Sequence, residues 1–170
     1  MFENVREDWR MYRTNGNPAR YWGFWVTLVY RFGHAAGKLR VPVFRHMGLA
    51  LYGVLRAFTG LFCSASIPRH TVIGKGLKLL HPDGIVILAD SEIGDYCSIF
   101  QQVTLGNGEQ PGAPKLEDHV VVFAGAKVLG PVKLGRYVHV GANAVVLEDV
   151  PERCTAVGVP ARIIEGDWQY

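Results

Sequence analysis

From Ile67 onward, aliphatic residues return at every sixth position, a rhythm that few folds accommodate. Ile67, Ile73, Leu79 and Ile85 form one series, and Ile87, Ile93, Ile99 and Leu105 a second, shifted by two. After a break, Leu116, Val122, Val128, Leu134, Val140 and Val146 form a third. The residue four further on is usually small or β-branched, as in Cys97, Val103, Val120, Ala126, Val132, Val138, Ala144 and Val150. Gly often follows the aliphatic, as at Gly74, Gly94, Gly106, Gly135 and Gly141. A period of six matches neither the 3.6 of an α-helix nor the alternation of a simple hairpin sheet. It fits a solenoid in which each hexad supplies one short strand and one corner, the aliphatic side chain pointing inward and a small residue relieving the turn. Three hexads close one triangular coil, so the expected fold class is mainly β.

The residues before this repeat are made of different material. Of the 19 aromatic residues 13 lie in the first 66 positions, whereas all eight isoleucines and 15 of the 21 valines lie in the last 104. The first 66 residues carry nine Lys/Arg against three Asp/Glu, a net +6, and the remainder nine against twelve. This predicts an α-helical segment over 1–66 and a β solenoid over 67–170. Helices are expected around Glu3 to Tyr12, from Asn17 with Asn17 as cap and Pro18 in the first turn, and from about Val43 to Phe58 after a break at Leu39 to Pro42. At 170 residues there is no room for two large lobes, and 49% hydrophobic with 19% charged residues excludes a disordered chain.

The stretch from Met47 to Ile67 holds one charge, Arg56, and is long enough to raise the question of a membrane. Gly48, Gly53, Gly60, Ser64 and Ser66 interrupt it, which favours a helix buried against its own domain or a neighbouring subunit. Peripheral contact of the aromatic, basic surface with a membrane is the alternative. Cys63, Cys97 and Cys154 are odd in number and lack CxxC spacing, so they read as reduced core residues. The first residues lack the apolar run of a signal peptide, which points to a cytoplasmic location, with the inner face of the membrane as a variant of it. Nucleic acid is not an expected partner.

Four segments, HPDGIVI (81–87), IGDYCSIFQQVTLG (93–106), PKLEDHVVVFAGAKVLGPVKLG (114–135) and VGANAVVLEDVP with AVGVPARII (140–164), resemble the hexapeptide pattern of left-handed parallel β-helix acyltransferases. The similarity runs from about Ile67 to Ile164 and is greatest to the serine acetyltransferases and their relatives in capsule and exopolysaccharide pathways. REDWRMYR and YRFGHAAGK in the helical part also look similar. The resemblance implies an acetyltransferase using acetyl-CoA as donor, without a metal, and a homotrimer, in some relatives a dimer of trimers. The γ-type carbonic anhydrases share such a solenoid but need three His, two closely spaced, and no such pair is present here.

Acetyl transfer from a thioester to a hydroxyl needs a base, donors for the oxyanion and a slot for the pantetheine arm. By the resemblance His81 is the base, and it stands where the repeat slips phase between Ile85 and Ile87. His34 looks like a helix position of the family, while His46, His70, His119 and His139 read as structural or exposed. For the cofactor the matching positions are Ala124, Gly125 and Ala142, with Arg162, and as weaker candidates Lys127 and Lys133, available to phosphates. Asn107 to Pro114 breaks the six-residue phase and is expected to project from a corner, where family loops cover the acceptor. Phe123 departs from the Gly common at its position.

At the positions that grip the amino acid in serine acetyltransferases this chain departs from the pattern. Asn17 stands for an Asp, Leu80 for the Asp before the catalytic His, Gly112 and Ala113 for an Arg-His pair, and Ser66 for the Asp that orients the imidazole. Such a site has few groups for a zwitterion. The segment IPRHTVIGKGLKLLHPDGIVI, in turn, resembles acetyltransferases of surface-polysaccharide pathways. The first expectation for the acceptor is therefore a sugar hydroxyl, with Asn17, Asp83 and Gln101 as candidate contacts. Serine with an altered pocket is the second, and a non-catalytic β-helix scaffold the third.

Overall fold

The computed structural model describes residues 2–14 and 16–166. Three α-helices come first: α1 (Phe2–Arg13), α2 (Trp22–Gly37) and α3 (Pro42–Phe62). The expected cap at Asn17 is real but serves a different element. Its Oδ1 accepts from Ala19 N at 3.1 Å and closes a single 3₁₀ turn, Pro18–Arg20, so that α2 begins only at Trp22. Helix α3 runs four residues past its expected end, to Phe62.

Fourteen short strands follow, and the first twelve wind as a left-handed β-helix of four coils. Strands β1 (Val72–Ile73), β4 (Glu92–Ile93), β7 (Lys115–Leu116) and β10 (Lys133–Leu134) stack in parallel as one side. A second side stacks β2 (Lys78–Leu79), β5 (Ser98–Ile99), β8 (Val121–Val122) and β11 (His139–Val140), and a third β3 (Val86–Ile87), β6 (Thr104–Gly106), β9 (Lys127–Leu129) and β12 (Val145–Val146). Strand β13 (Cys154–Val157) extends the second side, and β14 (Arg162–Glu165) turns back antiparallel to it.

All fourteen aliphatic positions of the repeat are buried, as are the eight small or β-branched ones. One assignment changes. Val86 pairs with Thr104 and Ile87 with Leu105, so Ile85 lies opposite Val103 and fills the corner position; Ile87 is the strand aliphatic. The first coil therefore takes eight residues from Lys78 to Val86 instead of six, and the two extra ones widen the turn that holds His81. The second coil is enlarged between β6 and β7, at Asn107 to Pro114.

The first coil would expose a row of backbone groups at its free end, and side chains of the helical layer occupy them. Asp8 and Arg31, both buried, form an ion pair at 2.9 Å. Arg31 also donates to Ile73 O at 2.8 Å and to Gly74 O, and Asp8 accepts from Leu77 N at 2.9 Å. Burial pushes the Asp8 pKa up, against the lowering effect of Arg31 and two backbone donors. Tyr12 Oη accepts from Leu79 N at 2.7 Å and donates to Leu79 O, and Tyr30 Oη donates to Thr71 O at 2.6 Å. On the third side Ser66 pairs in parallel with Val86. A common core runs from Val26, Tyr30 and Cys63 into the coils.

Gly23 makes this junction close. A Cβ there would collide with the carbonyl oxygen of Leu79 and the hydroxyl of Tyr12. Gly23→Ala is expected to destabilise the protein by about 1–3 kcal/mol through overpacking, read as a lower midpoint in urea at unchanged slope.

Helix α3 is largely uncovered by its own domain, which leaves a neighbouring subunit or a membrane surface, of the covers its low charge suggested, to meet it. Only Tyr52 and Thr59 are buried on it, while Phe44, Met47, Leu51, Val54, Phe58 and Leu61 face outward. Its inward face meets α2, where Gly33 admits the Tyr52 ring. Among the described residues no helix is long and apolar enough to cross a membrane. Cys63, Cys97 and Cys154 are free and buried, and burial pushes the Cys97 thiol up to about 12.

Candidate active site

The widened first-coil turn presents His81 to solvent. His81 adopts φ 52°, in the left-handed region, and its carbonyl accepts from Asp83 N at 2.6 Å. Ser64 fixes the far side of the turn, its Oγ accepting from Gly84 N at 2.9 Å. The same left-handed conformation recurs at other turns of the coil, as at Tyr96, Gln102, His119 and Asn143, so what sets His81 apart is the two-residue widening of its turn and the exposure of its side chain. No described side chain hydrogen-bonds the imidazole, Ser66 included.

Beside His81 opens a cleft of about 330 Å³ between the helices and the first coil. Leu80, His81, Pro82, Asp83 and Lys78 form its solenoid wall, and Tyr12, Arg20, Tyr21, Trp22, Phe62 and Cys63 its helical wall. Trp22 and Phe62 stack with ring centroids 4.7 Å apart, a flat aromatic wall facing the coil. Partial burial lowers the Lys78 pKa from its ordinary value. The charged groups at the cleft are thus Arg20, Lys78 and Asp83.

Several residues singled out from the sequence fall along one corner of the coil, below His81. Gln102 N donates to Asp83 O at 2.8 Å, Gly125 N to Gln101 O and Asn143 N to Ala124 O, both at 2.9 Å. Asp83, Gln101, Ala124 with Gly125, and Ala142 therefore stack rung upon rung in a single column. Lys127 Nζ lies over it, donating to Gln102 O at 2.8 Å and Gly125 O at 2.7 Å. The hairpin carrying Arg162 closes the lower end, where Ala161 N donates to Val145 O at 2.8 Å. Gly125 has φ 75°, and a Cβ there would meet the Asn143 side chain, so the corner stays flat at this rung. Gln101 adds a buried Oε1 without a hydrogen-bond partner.

A second column runs beside the first. Leu80 precedes the corner in coil one, Phe100 in coil two and Phe123 in coil three, and the two Phe rings lie 5.1 Å apart. The residue that departs from Gly, Phe123, thus continues an apolar strip that starts next to His81.

Two candidates lie elsewhere. Asn17 does not line the cleft and its side-chain oxygen is engaged with Ala19 N. The Asn107 to Pro114 loop sits at a different corner, folded over Gly130 and Pro131, and does not reach the His81 cleft of its own chain. Tyr12 and Lys78, which lie in the quoted segments without a role given to them, and Trp22, Phe62 and Ser64, which lie in none, also shape the site. Among the described residues no group of three or more His, Cys, Asp or Glu could hold a metal ion.

The family model for bacterial transferase hexapeptide repeats, six repeats long, matches residues 113–148. A serine acetyltransferase of Synechococcus elongatus is 38% identical over 175 residues, covering 96% of this chain and 69% of that relative. The chain belongs to the serine acetyltransferase family. It is an acyltransferase, and its fold agrees. A serine acetyltransferase solved in complex with CoA superposes with a TM-score of 0.78 at 33% identity, covering 94% of this chain and 68% of that one. The soybean serine acetyltransferase solved with serine gives 0.77 at 34% identity, covering 95% and 68%. These relatives are named for serine, the acceptor placed second by the sequence, and a tie to polysaccharide pathways gains no support from them.

Proposed function

We propose that this chain transfers the acetyl group of acetyl-CoA to an alcohol, with His81 as general base. The observation that carries this is the exposed His81 on its widened turn, at the head of a corner column and beside a cleft. The base takes the hydroxyl proton as the oxygen attacks the thioester carbonyl; the tetrahedral intermediate then expels the CoA thiolate, which the imidazolium protonates. Acetyl-CoA lies along the column, its pantetheine arm over Ala124, Gly125 and Ala142 and its phosphates near Arg162 and Lys127. The division of labour at Ser66/Ile67 belongs to the same proposal, with the chemistry on the solenoid side.

Family membership favours L-serine as the acceptor. The site predicts that serine is held weakly, since each missing charge-assisted hydrogen bond costs about 1.5–3 kcal/mol. A sugar hydroxyl is the second reading, favoured by the Leu80 and Trp22–Phe62 walls, which suit an acceptor with a broad apolar face. Asp83 and Gln101 are the polar contacts in either case. In the homotrimer we propose, the Asn107 to Pro114 loop of one copy covers the His81 cleft of the next.

The test is thiol release from acetyl-CoA with L-serine and, separately, a panel of hexoses and N-acetylhexosamines. Release with serine above the hydrolysis rate, saturating only at high concentration, is expected. Release confined to sugars would replace serine by the second reading. No release with either, combined with no acetyl-CoA binding in calorimetry, would leave the scaffold.

A further inference from the structure

Helix α3 repeats its outward apolar residues at alternating steps of three and four: Phe44, Met47, Leu51, Val54, Phe58 and Leu61. Each is between 50% and 80% exposed, so nothing in the chain covers this face. The helix has no acidic residue, and Gly53 and Gly60 on the same outer side have open space before them. The exposed apolar area is on the order of 600–800 Å², larger than the few hundred Å² that a soluble monomer ordinarily shows in one patch.

The charges around the patch decide what covers it. Residues 14–66 contain six Lys/Arg and not one Asp/Glu. Arg31 is held by Asp8, while Arg20, Lys38, Arg40, Arg45 and Arg56 meet no carboxylate among the described residues. The three acids of the first 66 residues all lie on α1 and all are paired, Glu3 with Lys75, Glu7 with Arg10 and Asp8 with Arg31. A second copy packed α3 against α3 would bring two such basic rims together with no carboxylate between them. An anionic lipid surface answers both properties at once, taking the apolar side chains below its headgroups and the cations among them.

We propose that α3 lies in the plane of an anionic membrane surface, with the Phe44 to Leu61 stripe inserted and the five unpaired cations at headgroup level. The stripe ends at Phe62 and Cys63, which wall the His81 cleft, so the cleft opens at the lipid boundary. This docking does not depend on which acceptor the enzyme uses.

The experiment is co-sedimentation of the full chain with vesicles of phosphatidylethanolamine and phosphatidylglycerol, against vesicles of phosphatidylcholine alone. Binding to the anionic vesicles, weakened by salt, is expected. Met47→Glu with Val54→Glu should cut partitioning about tenfold or more. These positions are exposed, and retained circular dichroism verifies the fold. Should that variant fail to fold, Arg40→Ser with Arg45→Ser and Arg56→Ser keeps the apolar face and must lose the preference for anionic vesicles. Failure of the wild type to sediment, or equal binding by the folded variants, overturns the proposal. So does a fall in the molecular mass of the lipid-free protein on Met47→Glu with Val54→Glu, since the face would then be an interface between copies.

Discussion

His81→Ala is expected to lower turnover by roughly 10²- to 10⁴-fold, the range lost when a positioned general base is removed. The rest of the site should survive the change, because His81 is exposed and its side chain makes no hydrogen bond to any described group. Acetyl-CoA affinity by calorimetry and the thermal unfolding midpoint should therefore stay near their wild-type values. The discriminating measurement is thiol release with the preferred acceptor. A rate within a few-fold of wild type would mean that another group takes the proton. The left-handed backbone at His81 adds a finer expectation: His81→Gly fits that backbone without a Cβ and should keep stability near wild type, yet lose the same catalytic factor.

Arg31→Met should be the most destabilising single change considered, at about 3–5 kcal/mol, since it leaves the Asp8 carboxylate buried without its counter-ion. The same change removes the donors to Ile73 O and Gly74 O. Changing both partners, Asp8→Leu with Arg31→Met, should recover part of that loss, because two apolar side chains need no partner. Urea titrations of the two single variants and the double variant measure the coupling directly. A loss below about 1 kcal/mol for Arg31→Met would contradict the buried pair.

The solenoid was legible because its period is local. Each coil's inward residue is dictated by the same six-residue step, so Ile67 through Val146 could be placed without knowing what they touch. Ile85 was misplaced for a local reason too. An eight-residue step with an aliphatic at both of its final odd positions imitates a six-residue one, and only pairing with Val103 and Leu105 tells them apart. The helical layer was harder. Asp8 and Arg31 are 23 residues apart and Tyr12 is 67 from Leu79, so no spacing rule connects them. Low charge in α3 showed that a face is apolar but not which side of the helix is covered, and the structure leaves that face open.

Asp83, Gln101, Ala124, Gly125 and Ala142 come from separate segments and fall on successive rungs of one corner, a placement that their spacing in sequence does not show. Asn17 and the Asn107 to Pro114 loop came from the same comparison of motifs and do not reach the cleft. Motif matching carries the identity of a position but says nothing about which copy, or which corner, it serves.

A coil of parallel strands has no natural end, since every rung is a template for the next. Left bare, the first rung would invite another chain to continue the stack, and copies would join end to end into fibres. Here Arg31, Tyr30, Tyr12 and Asp8 occupy two of its sides and the backbone of Ser66 the third, while β14 runs antiparallel at the other extreme and offers the wrong polarity for continuation. The aromatic, basic preface is thus also a stop against polymerisation, and its loss should yield insolubility before it yields inactivity.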